Sequence, residues 1–346
     1  MKKNKFYKLG LAAVTAGALS LSASFNLAQA ADKLTIAVPG VPPVFSTTLV
    51  YVSKLGGFYK KHGLDVTIKP FNSGVAAARA VVSGAVEVSL SPTAPVTRMV
   101  SNAGVSLVGM QGMEKPDWLI GSMDPKKNTC ESMKGQAVGV DSPRGARWIQ
   151  LANMARKCKL RADKDIPTVN LSSNVGAAMV AGQLTFGVLH LDDIPVIERE
   201  SGKKVTIVSE IEKAAPGTHY LLFVAKRETI AKKRDIMVRM TAAQIEATEF
   251  IYNPANRAKI AGFAKATGRK QGDAENAFKI FTDFKYWARG SDGMDAKRIT
   301  KTIKIQEAVG KRTKGKAGIN PAKGGVAVDK LIDRSIYKDA VALLKK

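Results

Sequence analysis

Runs of apolar residues alternate with helical spacings along the first third of the chain. Leu34-Thr35-Ile36-Ala37-Val38 is β-branched and apolar and is broken by Pro39-Gly40, which predicts a strand and then a loop. Phe45, Leu49, Val52 and Tyr59 recur near helical spacing, predicting a helix over 45–61 that Gly63 ends. Asp65–Ile68 is the next strand. A helix opens at Ser73-Gly74 and runs through Ala77, Ala80 and Val81 to Gly84, Glu87–Leu90 is a strand, and Ser91-Pro92-Thr93 starts a third helix. Val105–Met110 closes the series as a strand. The order β-α-β-α-β-α-β with short connections predicts an α/β lobe with a largely parallel sheet.

A similar block follows over about Asp124–Pro216. Strands are predicted at Gln136–Val140, Thr168–Leu171, Thr185–Leu189 and Val205–Val208. Helices are predicted from Asp141-Ser142-Pro143 to about Lys159, over Asn174–Gly182, and up to Glu200. Two short, extended, apolar segments, Trp118–Met123 and His219–Ala225, are expected to bridge the lobes. Helical patterns then cover 232–252, 254–266, 273–284 and 296–307. A basic, glycine-rich surface loop is expected at Lys311–Gly325, before a last helix. No internal repeat of solenoid length is present.

The N-terminus changes this picture. Lys2, Lys3, Lys5 and Lys8 precede an apolar run over about Leu9–Leu21, and Ala28-Gln29-Ala30 follows. This is the layout of a secretory leader, expected to be cleaved after about Ala30. The run is shorter than the roughly 20 residues that span a bilayer. The 346-residue chain has a net charge of +25; four lysines belong to the leader, leaving +21 on the remainder. That balance is compatible with nucleic-acid binding, but the basic residues are scattered and an exported chain has no nucleic acid to meet, so a bias toward anionic ligands is the expected meaning. The only two cysteines, Cys130 and Cys158, lie in an exported chain, so a disulfide between them is expected.

In open α/β sheets ligands bind beyond the carboxyl ends of the strands. The loops there contain Gly40-Val41, Ser73-Gly74, Ser91-Pro92-Thr93 and Asp141-Ser142-Pro143-Arg144. Three of them open helices, whose N-termini suit an anion. Arg144 and Arg147 fall in the first predicted turn, where the helix dipole disfavours a cation unless an anion docks there; Arg144, nearer the loop, is the preferred ligand-binding residue. Phe45 and Trp118 are the expected apolar walls, whereas Trp148, on one face with Leu151 and Ala155, reads as core. The three histidines, His62, His190 and His219, are far apart. No hydrolase elbow, P-loop or metal-ligand spacing is present, so no catalytic residue, metal or cofactor is expected.

Four segments carry a resemblance: Leu55–Val66 (with Gly56-Gly57-Phe58-Tyr59 and Gly63-Leu64-Asp65-Val66), Ala80–Val88, Met133–Val140 and Ala177–Gln183. In order and spacing they resemble the nitrate/sulfonate/taurine-type substrate-binding proteins of ABC importers, a group that includes pyrimidine-precursor binders. The likeness runs from Leu34 to about Gly268. It implies a type II periplasmic-binding fold: two α/β lobes joined by two hinge crossings, closing on a small molecule without chemistry. The implied division is a signal peptide at 1–30, a first lobe at 31–122 plus 217–346, and a second at 123–216. The implied partners are a small-molecule ligand and an inner-membrane permease, with a monomeric, periplasmic chain. Thr185-Phe186 and Asp192-Asp193-Ile194-Pro195 depart from the family pattern, yet His190 and Asp192 still mark the ligand-facing end of that strand. Arg144 tilts the expected ligand toward a small organic anion of sulfonate or carboxylate type. Two alternatives remain open: an enzyme of pyrimidine-precursor synthesis, which some relatives of this fold resemble, and a periplasmic ligand sensor.

Overall fold

A computed structural model describes residues 30–346. The expected leader thus lies outside the described residues, save Ala30.

Among the described residues ten strands form two five-stranded sheets. The first has the order β2-β1-β3-β10-β4, from β1 (Asp32–Pro39), β2 (Leu64–Phe71), β3 (Val88–Pro92), β4 (Leu107–Met113) and β10 (Leu221–Lys226). The second has the order β7-β6-β8-β5-β9, from β5 (Trp118–Ser122), β6 (Val138–Val140), β7 (Thr168–Asn170), β8 (Phe186–His190) and β9 (Thr206–Glu210). Both share one plan. Three parallel strands stand side by side, and the fourth is antiparallel to both its neighbours. In each sheet that fourth strand, β10 or β5, is the one reached directly from the other sheet.

The predicted bridges are therefore corrected. Trp118–Ser122 pairs with β8 and β9, and Leu221–Lys226 with β3 and β4. The crossings lie just before them, at 114–117 and between β9 and β10. The cause is burial: Leu119, Ile120, Leu222 and Val224 are completely buried, and an apolar extended segment gains most when both faces and both edges are covered. Trp118–Ser122 accordingly sits with the second sheet rather than the first.

The helices that position the cleft are α1 (Thr48–Leu55), α2 (Gly74–Ser83), α3 (Thr93–Ala103), α4 (Ala146–Ala155), α5 (Val175–Val180) and α6 (Asp193–Ser201). The predicted helix over 45–61 breaks at Gly56-Gly57, where Gly57 takes φ 81° and a short turn over Phe58–Lys61 follows. The predicted helix at Asp141 begins later, at Ala146. The C-terminal part contributes α7 (Arg234–Tyr252), α8 (Arg257–Ala264), α9 (Gln271–Asp283), α10 (Ala296–Arg312) and α11 (Ser335–Leu343). It returns to the first sheet: α7 packs on α1, α10 on α3, and α11 on β4. No helix among the described residues is long and apolar enough to cross a membrane.

Candidate ligand-binding cleft

The carboxyl ends of the parallel strands in the two sheets face each other, and their loops meet. Two contiguous spaces lie between them, of about 20 and 260 Å³, sharing Val44, Arg147, Ser173 and His190 in their walls. Gly40 and Gly74 let the backbones approach. Gly40 has φ 93°, and a Cβ there would come within 2.7 Å of the Pro42 carbonyl oxygen. A Cβ on Gly74 would come within 2.2 Å of Pro92 Cδ. Both residues line the smaller space with Ser73 and Pro92. The Ser73 hydroxyl caps α2 by accepting from the Ala76 N–H at 3.2 Å.

Arg147, not Arg144, enters the cleft. Because α4 starts at Ala146, Arg144 lies outside it, exposed, at φ 56°. Its carbonyl accepts from Arg98 at 3.4 Å. Arg147 is only 2% exposed; its guanidinium lies 5.0 Å from the Trp118 ring, donates to the Val188 carbonyl and stands 3.6 Å from Asp193. The first N–H groups of α4 are taken by Asp141, whose carboxylate accepts from Ala146 and Arg147 at 3.1 and 3.0 Å. Burial pushes the Asp141 carboxyl up, opposed by Arg147 and these backbone bonds. Any anion specificity at this end therefore falls to the Arg147 side chain rather than to the helix terminus. Ser142 keeps a buried hydroxyl with no partner.

His190 ends β8 and lies against Trp118, with ring centroids 3.7 Å apart and the planes tilted by 33°. Its Nδ1 lies 2.7 Å from Asp117 Oδ2, and its backbone N–H donates to Asp193 at 2.9 Å. Asp192, 1% exposed, pairs with Arg269 from beyond α8. Burial raises its carboxyl above the ordinary range, an effect that Arg269 partly offsets. Tyr220 and Tyr286 extend the aromatic surface from Trp118 toward the first lobe, with centroids 5.5 and then 6.2 Å apart. Around this surface, among the described residues, Asp117 Oδ1, Trp118 Nε1, His190 Nε2 and Asp192 Oδ1 are buried without a hydrogen-bond partner. Each such group costs about 1–3 kcal/mol when unsatisfied, and of these residues Trp118 and His190 also line the smaller space.

Four expected residues stand elsewhere. Phe45 is core: it packs against Phe278 and Phe281 at 4.9 and 5.4 Å, with the Arg269 guanidinium 5.0 Å from its ring. Ser91 lies behind Pro92 and bonds Ser89 and the Gly74 carbonyl. Thr93 Oγ1 is 2.7 Å from His219 Nδ1. Val41 is 44% exposed, and only its backbone reaches the second lobe.

The lobes are latched. Ser172 Oγ donates to the Asn72 carbonyl at 2.8 Å and accepts from the Val41 N–H at 3.3 Å. Ser173 Oγ donates to the Pro42 carbonyl at 2.6 Å. Arg199 on α6 donates to both carboxylate oxygens of Asp273 on α9, at 3.2 and 2.8 Å. Cys130 and Cys158 form a disulfide behind α4.

No curated protein sequence matches the chain. Among solved structures it is similar to a protein from Bordetella bronchiseptica (TM-score 0.74, 18% identity, covering 92% of this chain and 99% of that one). It is also similar to the periplasmic nitrate-binding protein of Synechocystis (0.66, 12%, 91% and 89%). A third likeness is to the alkanesulfonate-binding protein of Xanthomonas axonopodis pv. citri bound to MOPS (0.61, 16%, 81% and 91%). These likenesses show the fold, that of periplasmic binding proteins. A family model described as NMT1/THI5 like matches residues 44–258. With most of both sheets inside that match, the chain belongs to the NMT1/THI5-like family.

Proposed function

We propose that this chain is the solute-binding component of an ABC importer. Exported and cleaved after about Ala30, it works as a periplasmic monomer. It holds a small organic anion, of sulfonate or carboxylate type, between its lobes and delivers it unaltered to an inner-membrane permease. The observation that carries the reading is Arg147: a buried guanidinium on a Trp118 face, set where loops from both lobes meet. A planar, permanently charged fork suits a carboxylate or sulfonate, and the stacked ring fixes its direction. A space of about 260 Å³ suits a small molecule rather than a polymer. Two proteins of like fold are named for nitrate and alkanesulfonate binding, which supports the same class.

One observation favours a second reading, an enzyme of the same fold. The buried Asp117–His190 pair leaves Nε2 without a partner, as in a carboxylate-oriented general base. A thermal-shift screen of residues 31–346 against sulfonates, aromatic carboxylates, nitrate and pyrimidines tests the first reading. One anionic class is expected to raise the melting temperature saturably. No response to any anion, with a response to neutral pyrimidines, contradicts it.

A further inference from the structure

A second cluster of charge lies away from the cleft. Behind α4, a space of about 160 Å³ is lined by Arg156, Lys159 and Arg161 from the second lobe and by Arg312 from the end of α10. Trp148 and Val309 give it apolar walls. Asp163 is the one acidic residue in the lining, and Arg161 engages it through two hydrogen bonds of 3.2 and 2.8 Å. Among the described residues, Arg156, Lys159 and Arg312 have no carboxylate within ion-pair distance. Arg312 also lies within a strongly basic stretch of the chain: residues 297–323 hold nine Lys or Arg and a single acid, Glu307.

Like charges from two lobes are thus brought together around one recess. Burial, and then the nearness of Arg156 and Arg161, push the Arg312 guanidinium down from its usual value. An arginine does not relieve such crowding by losing its proton at neutral pH; an anion does relieve it. The Cys130–Cys158 bond holds the turn Arg156–Cys158 in place, so Arg156, within it, and Lys159, next after Cys158, stand beside a cross-linked support.

We propose that Arg156, Lys159, Arg161 and Arg312 form a second anion site, distinct from the cleft, that takes a tetrahedral inorganic oxyanion such as phosphate or sulfate. An oxyanion there ties α10 of the first lobe to α4 of the second. Isothermal titration of residues 31–346 with sodium phosphate, against sodium chloride at equal ionic strength, tests this. Saturable phosphate binding is expected at millimolar concentration or tighter. Arg312→Ala and Arg156→Ala should each weaken it at least tenfold, while Arg147→Met in the cleft leaves it unchanged. The proposal is overturned if phosphate behaves as chloride does, or if neither Arg312→Ala nor Arg156→Ala weakens binding. It is also overturned if Arg147→Met alone abolishes binding, which would place the phosphate in the cleft and leave the solute-binding reading standing.

Discussion

Arg269, from the segment joining α8 to α9, forms an ion pair with Asp192, at the start of α6, across the contact of the two lobes. Asp192 is almost wholly buried and Arg269 is 16% exposed, so this pair is shielded from solvent as surface pairs are not.

Removing the cation leaves a buried carboxylate alone, a change that costs about 3–5 kcal/mol. Arg269→Met is therefore expected to destabilise the protein strongly at pH 7. The sign with pH follows from the raised Asp192 carboxyl. A folded-state acid held above its ordinary value binds more protons than in the unfolded chain, so its penalty is absent at low pH and grows as pH rises through that window. Urea denaturation should show a smaller deficit for the variant at pH 4 than at pH 7. Equal deficits at both would remove the pair from the account.

The two arginines of the α4 entry give opposite expectations. Arg147→Lys loses the planar fork and the stacking on Trp118, and should weaken the anion found by screening at least tenfold, about 1.4 kcal/mol. Arg144→Ala, at an exposed turn, should change affinity by less than about twofold. Titration calorimetry of both variants checks this, and the reverse order would restore Arg144 as the ligand residue.

That contrast shows what the sequence disclosed and what it hid. The succession of strands and helices along the chain, the two α/β halves and the loops of Gly40, Ser73-Gly74 and Asp141 were legible because alternation, glycine and capping chemistry are local, whereas the antiparallel placing of β5 and β10 was not. Nor was the late start of α4, at Ala146 rather than Asp141. Asp141 caps it from five and six residues away, turning Arg147 inward and leaving Arg144 outside. Phe45 reads as a cleft wall until α9 covers it with Phe278 and Phe281, a contact more than 230 residues away in sequence. Asp117, Ser172, Ser173 and Arg269 carried no local signal at all; the pairing of β5 with β8 brings Asp117 to His190, and only the meeting of the lobes gives the other three their partners.

His219 supplies a pH-dependent element outside the ligand space. Its Nε2 donates to the Gly293 carbonyl and its Nδ1 faces the Thr93 hydroxyl, both at 2.7 Å, so the ring is neutral with its proton on Nε2. Burial lowers its pKa to about 4. A histidine held below its unfolded value contributes stability at pH above about 6.5 that is lost as pH falls toward 4, about 3 kcal/mol in full. His219→Asn should be less stable than the parent at pH 7 and lose less stability over that interval. An unchanged slope would assign the acid sensitivity to other groups.

The disulfide closes a loop with a sequence separation of 28. In the chain-entropy model that contributes about 3–4 kcal/mol. The double variant Cys130→Ser with Cys158→Ser should melt lower than the parent under non-reducing conditions, and addition of dithiothreitol should lower the parent but not the variant. Thiol labelling of denatured, unreduced protein checks the bond itself: two labelled cysteines would refute it.

The most direct test is native mass spectrometry of residues 31–346 with the best anion from the screen. One molecule should be held per chain and be recovered after denaturation at its original mass, with retention reduced in Arg147→Lys. Recovery of a chemically altered compound, or equal retention by Arg147→Lys, would contradict the account.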